Sequence, residues 1–291
     1  MRVVEPQNFK ERNVAKKSRK IGEKQLALVC GVGLLVVAVV ALYPRDEEAV
    51  VVEQPSSQAI QVEDVVQEVA VQAAEPNSIR EFGDNEFKFF YDNLVQPNLT
   101  RVENPPTITG NDVADARIRK IAEDRGYRLR SSPTTELSGV DGHLVQAPVV
   151  AAWKQLQSSA AKNGYRMTIV SGYRSVENQR SLFLQRLAAA GGNAELIVKG
   201  EADAIVDKVL VTSSIPGYSK HHTGYTIDLL CAGYDFENFK NSPCNDWLIK
   251  DNYKAAKEAG FIPSYPPAAD AQGPDPEAWE YVYVGTEFLY N

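Results

Sequence analysis

The chain contains three histidines, His143, His221 and His222, so any imidazole-based chemistry must use one of them. Two lie in PGYSKHHTGYTIDL, where Ser219, His221, Gly224 and Asp228 fit the pattern S-x-H-x-x-G-x-x-x-D. A loop histidine and a strand carboxylate so arranged can converge on one metal ion, since imidazole nitrogen and carboxylate oxygen are both ordinary zinc ligands. Upstream, IVSGYRSVENQ (169–179) ends a strand in a turn that presents Arg174 and Gln179. An arginine beside a metal can bind a substrate carboxylate or the charge developing on a tetrahedral intermediate. Downstream, PEAWEYVYVG (276–285) sets Glu277 before a tryptophan and a strand. A carboxylate close to metal-activated water is the usual general base for amide hydrolysis.

In that order, SGYRS-x-x-x-Q, S-x-H-x-x-G-x-x-x-D and E-x-W-x-x-x-Y-V-G resemble the VanY-type D-alanyl-D-alanine carboxypeptidases of the LAS zinc metallopeptidase group. The resemblance runs from roughly Gln146 to Gly285. It implies a small α+β fold with an antiparallel sheet and flanking helices. It also implies one Zn2+ ion and hydrolysis of the terminal D-alanine from a peptidoglycan stem peptide. By the match, His221 and Asp228 are the first two zinc ligands, Glu277 is the base and Arg174 the oxyanion stabiliser. Ser219 and Gln179 are substrate contacts.

One departure stands out. The family's last motif reads Glu-Pro-Trp-His, with histidine as the third ligand, but here the residues are Glu277, Ala278, Trp279 and Glu280. His143 lies outside the motifs, and His222 adjoins His221, where alternating geometry points it away. Glu280 is itself a ligand type, which gives a His221/Asp228/Glu280 site with an open position. Two anionic ligands partly neutralise the ion, so its water is expected to be less acidified, with weaker zinc affinity or tolerance of a harder metal such as manganese. The alternatives are a related LD-carboxypeptidase or peptidoglycan endopeptidase, which share the metal motif, and a non-catalytic cell-wall binding protein with a degenerate site.

These residues must be held by a domain spanning 80–291, about 210 residues, a size that suits one core. Periodicity and capping signals predict helices at 112–125, 149–163, 176–190 and 194–209. Another should run from Ser242-Pro243 to Gly260, with serine as N-cap and proline as first residue. Apolar runs at Met167–Val170, Tyr225–Leu230 and Tyr281–Val284 predict strands. Mixed elements without βαβ alternation mean α+β. The aromatic stretch FGDNEFKFFYDNL is expected to pack against the domain, as part of it or as a lid over its groove. His143 reads as a loop histidine, and the three tryptophans as core or pocket wall.

The rest of the chain concerns placement. Residues 1–25 form a basic tail. Leu26–Tyr43 is a charge-free run close to the roughly 20 residues that cross a bilayer as a helix. Lys16, Lys17, Arg19, Lys20 and Lys24 precede it and Asp46, Glu47 and Glu48 follow, which puts the N-terminus in the cytoplasm and the rest outside. A cleaved signal peptide is the competing reading, and either exports the domain. Residues 44–79 carry eight acids, one base and no aromatic residue, and read as an acidic tether of roughly 35 Å. Outside the N-terminal tail the chain is strongly acidic, which excludes a nucleic-acid binder. Cys231 and Cys244, exported together, can form a disulfide; free thiols are the alternative.

Overall fold

In chain order the elements are α1 (Asp84–Asp92), β1 (Leu99–Thr100), α2 (Asp112–Asp124), β2 (Ser132–Pro133), β3 (Ser138–Val140) and β4 (His143–Val145). There follow α3 (Ala147–Lys162), β5 (Met167–Ser171), α4 (Val176–Ala189), α5 (Ala194–Lys199) and α6 (Asp203–Leu210). After a 3-10 turn at Lys220–Thr223 come β6 (Thr226–Cys231), α7 (Pro243–Glu258), β7 (Phe261–Pro263) and β8 (Glu280–Tyr283). This computed structural model describes residues 78–267 and 269–291. The predicted membrane segment and nearly all of the tether lie outside the described residues. No helix among the described residues is long and apolar enough to cross a membrane.

The sheet is antiparallel throughout, in the order β5-β6-β8-β7. Strand β6 lies inside it and is buried along nearly its whole length, which is why its sequence is a continuous apolar run broken chiefly by Asp228. Helix α3 turns Val149, Trp153, Leu156 and Ala160 to one buried stripe, the spacing of an amphipathic helix, and packs on this sheet with α7. Phe87 of α1 joins the same core, and Ile79 pairs with Tyr290, so the aromatic N-terminal stretch is part of the domain. A second core is helical: Ile118 of α2, Phe183 and Leu187 of α4, Ile197 of α5, and Val206 and Leu210 of α6 are all buried together.

Most helix starts follow from caps. Asn111 accepts from the backbone of Val113 and Ala114, Ser175 from Asn178, Asn193 from Leu196 and Ser242 from Asn245. The helix expected at 194–209 is instead two, because Gly200 sits at φ 78° and closes α5 as a left-handed C-cap. Helix α7 begins at Pro243 as expected but is interrupted where Asp251, Asn252 and Tyr253 all take positive φ. Asn252 secures that turn by pairing with both the N–H and the carbonyl of Phe82, and it accepts from the buried Lys257 ammonium. His143 lies in the β3–β4 hairpin rather than in a loop. Strand β7 was not expected: three residues after Gly260 are too short to carry a period. Cys231 and Cys244 are bridged, joining the end of β6 to the start of α7.

Candidate metal centre

Strand register makes the site. Asp228 of β6 lies directly opposite Glu280 of β8, with Ser171 of β5 on its other side. Like charges facing across strands destabilise a sheet, and these two carboxylates are 7% and 4% exposed. The 3-10 turn before β6 lowers His221 between them, its Nε2 3.3 Å from Asp228 Oδ2 and 3.3 Å from Glu280 Oε2. The three ligand atoms lie within 4.8 Å of one another. Asp228 Oδ1 is buried without a hydrogen bond, and Glu280 Oε1 has only the Lys220 ammonium, at 3.3 Å, as an ion-pair partner. Clustered buried anions with free lone pairs fit a bound cation, and the donor set suits a divalent metal.

Protonation behaviour agrees with that reading. Burial opposes charge on His221, yet the carboxylates of Asp228 and Glu280 prevail and push it up to about 10. Burial also opposes charge on Glu280, but the Lys220 ammonium and His221 hold it well below the usual carboxylate range. For Glu277 burial is the largest effect, and Glu280 and Asp228 add repulsion that His221 and Lys220 offset only in part, which pushes it up to about 8. A cation among the three ligands favours the ionised form of this neighbouring carboxylate, as a general base requires.

Backbone contacts fix the histidine. Its Nδ1 donates to the Gly172 carbonyl at 2.7 Å, so Nε2 is the nitrogen turned toward the two carboxylates, and a metal bound there would displace its proton. Gly172 is needed there, since a Cβ would come 2.6 Å from the Leu144 carbonyl oxygen. The irregular register between Ile169 and Ser171 brings this turn over the ligands. Arg174, the next motif residue, lines the same cavity; its guanidinium donates to Ser171 Oγ at 3.1 Å and to Gln179 Oε1 at 3.0 Å. Gln179 is fully buried and donates in turn to the Ser214 carbonyl, so its polar atoms face the protein. Ser219 opens the 3-10 turn, accepting from His221 N–H, and lines the cavity.

His222 points away from the ligands, but through a 3-10 turn and not the strand alternation expected. Its Nε2 accepts from Gly217 N–H and its Nδ1 donates to the Arg174 carbonyl. Burial, with only partial compensation from that carbonyl, lowers it to about 4 and keeps it neutral. It is thus a clamp on the Arg174 backbone. Two further features escaped the motifs. Lys220 is buried beside Glu280, and Tyr127 packs under the loop leading to Glu277. A lone lysine inside a motif and a tyrosine some 150 residues away from Glu277 carry no periodic signal.

The cavity above the ligands has a volume of about 620 Å³. One wall is formed by Asp228 and Glu280 of the sheet with His221 of the turn before β6; another includes Tyr127, Arg130 and Ser214, from segments that follow α2 and α6. Residues 142–286 match the family model VanY, D-alanyl-D-alanine carboxypeptidase. The chain belongs to the VanY-type carboxypeptidase family. The matched segment contains every ligand candidate. A D-alanyl-D-alanine carboxypeptidase of Enterococcus faecalis is 27% identical over 150 residues, covering 50% of this chain and 51% of that protein. YodJ of Bacillus subtilis is 31% identical over 150 residues, covering 50% and 48%. The chain therefore spans about half the length of the curated relatives it matches.

Among solved structures, a vancomycin-resistance D,D-pentapeptidase VanY variant in complex with Zn(II) aligns with a TM-score of 0.41 and 23% identity, covering 56% of this chain and 87% of that one. The LdcB LD-carboxypeptidase aligns with a TM-score of 0.40 and 21% identity, covering 68% and 72%.

Proposed function

We propose that the domain is a metal-dependent carboxypeptidase that removes the terminal D-alanine from peptidoglycan stem peptides, anchored by Leu26–Tyr43 on the outer side of the cell membrane. The observation that carries the reading is the convergence of His221, Asp228 and Glu280, with Glu277 and Arg174, around one cavity. His221, Asp228 and Glu280 would hold one Zn2+. Bound there, the ion supplies Lewis acidity toward the scissile carbonyl and activation of water. Glu277, half-buried in the same cavity as the candidate ligands, would accept the water's proton and return it to the leaving amine. Arg174, aimed by Ser171, Gln179 and the His222 clamp, faces the oxyanion and offsets its charge. The anchor and the export of the domain rest on the charge asymmetry around the apolar run.

The test is release of free D-alanine from a stem pentapeptide by the full chain, with zinc, with manganese and with a chelator. Metal-dependent release is expected. Folded, metal-loaded protein that releases no D-alanine would overturn the carboxypeptidase reading.

A further inference from the structure

Glu280 is held by more than its strand. Its two oxygens face different groups: Oε2 looks toward His221 Nε2 at 3.3 Å, and Oε1 toward the Lys220 ammonium at 3.3 Å. Lys220 is 7% exposed, and its Nζ also donates to the Ser264 carbonyl at 2.8 Å. The ammonium sits over the Tyr265 ring, 3.3 Å from its centroid, with Tyr91 of α1 at 5.3 Å. A lysine is rarely buried without a carboxylate partner, and here the partner is a candidate metal ligand. Lys220 and His221 are consecutive residues of one 3-10 turn, so a single backbone segment supplies both the imidazole ligand and the cation that grips the carboxylate ligand.

We infer that Lys220 is a positioning residue for the metal centre: it occupies one oxygen of Glu280, leaves the other as a single aimed donor, and restores the positive charge that a carboxylate in the third ligand position removes. The inference rests on the metal reading above. With two carboxylate ligands the formal charge of a divalent site falls to zero. Adding one ammonium returns one positive unit, the same balance as two neutral imidazoles and one carboxylate. Outer partners of this kind orient ligands, and their loss costs about 10–100-fold in metal affinity. The ammonium also repels the ion, so the two effects oppose each other. With glutamate in the third position, aim and ionisation of the carboxylate outweigh repulsion. With histidine there, Lys220 has no oxygen to grip and only repulsion remains.

The sign of the effect therefore depends on residue 280, and that is the test. Zinc affinity is measured by competition with a chromophoric chelator for the full-length protein, Lys220→Met, Glu280→His and the double variant, each checked for native fold by near-ultraviolet circular dichroism. In the wild-type background Lys220→Met is expected to weaken zinc about tenfold. In the Glu280→His background the same change is expected to tighten it. A purely packing role for Lys220 moves both backgrounds in one direction, and that result, or no change in either, overturns the inference alone. Failure of the wild-type protein to take zinc overturns the metal reading and this inference with it. If Lys220→Met alone does not fold, the double variant compared with Glu280→His still reports the decisive sign, and weaker binding there overturns the inference.

Discussion

The two walls of the cavity are built by different physics. The sheet wall takes its geometry from hydrogen-bonded register: Asp228 meets Glu280 because β6 and β8 pair there, and a slip of one residue in either strand turns that strand's carboxylate to the other face. The helical wall has no ladder. Its side chains are placed by the packing of α2, α4, α5 and α6, and it reaches the chemistry through one loop. Arg125 donates to the Gly273 carbonyl, Asp275 N–H to the Val211 carbonyl, and Gly273 lies flat on the Tyr127 ring just before Glu277. The sheet and the 3-10 turn before β6 thus carry the three candidate ligands, whereas the loop seated on Tyr127 leads to Glu277, the proposed base. Metal binding and turnover should then be separable by mutation.

The sharpest separation is at Glu277. Glu277→Gln is expected to lower kcat by about 10²–10⁴ while zinc affinity in a chelator competition stays within a few-fold of wild type. Zinc should act on the sheet wall directly. At a thousandfold excess over Kd it is expected to stabilise the protein by about 4 kcal/mol in denaturant titration. Asp228→Asn should abolish that gain; an equal gain in the variant would place the ion elsewhere. The disulfide braces the same wall, tying the end of β6 to α7. Cys244→Ser is expected to cost about 3 kcal/mol of stability for a loop of this size, read from the shift in denaturation midpoint.

The helical wall is probed at Gly273. A Cβ there would come 2.4 Å from Tyr127 ring atoms, and φ is 112°. Gly273→Ala should displace the loop and lower kcat by up to about 10²-fold with zinc affinity unchanged. A parallel loss of zinc binding would show that the two walls are not independent. The smallest effect concerns Lys257, behind the sheet. Burial, only partly offset by Glu81, lowers it from 10.5 to about 8. Between these values the unfolded chain binds more protons than the folded one, so this group makes stability rise as pH climbs from about 8 to 10.5. Urea midpoints across that range should show the rise, and Lys257→Met should remove it.

Local chemistry explains what could be read without coordinates. Ser175, Asn193 and Ser242 announce helix starts because their side chains satisfy N–H groups a few residues away. The apolar stripe of α3 and the run of β6 report burial through their own spacing. The motif residues His221, Asp228, Glu277, Glu280 and Arg174 do come together, since they lie on or beside strands whose periods are plain. Less was legible where a single backbone angle decides: Gly200 splits one expected helix, and the left-handed turn at Asp251–Tyr253 breaks another.

The amino-acid sequence by itself determined the kinds of groups available to the site and the strands and turns that carry them, because those depend on residue type and short spacing. Tertiary structure alone decided the pairing of Asp228 with Glu280, the burial of Lys220 against Glu280 and two tyrosines, the clamp of His222 on Arg174, and the loop seated on Tyr127. Each of these joins residues through space, or depends on how a turn is buried. Their energies come from register, desolvation and close packing, which exist only once the chain has folded around them.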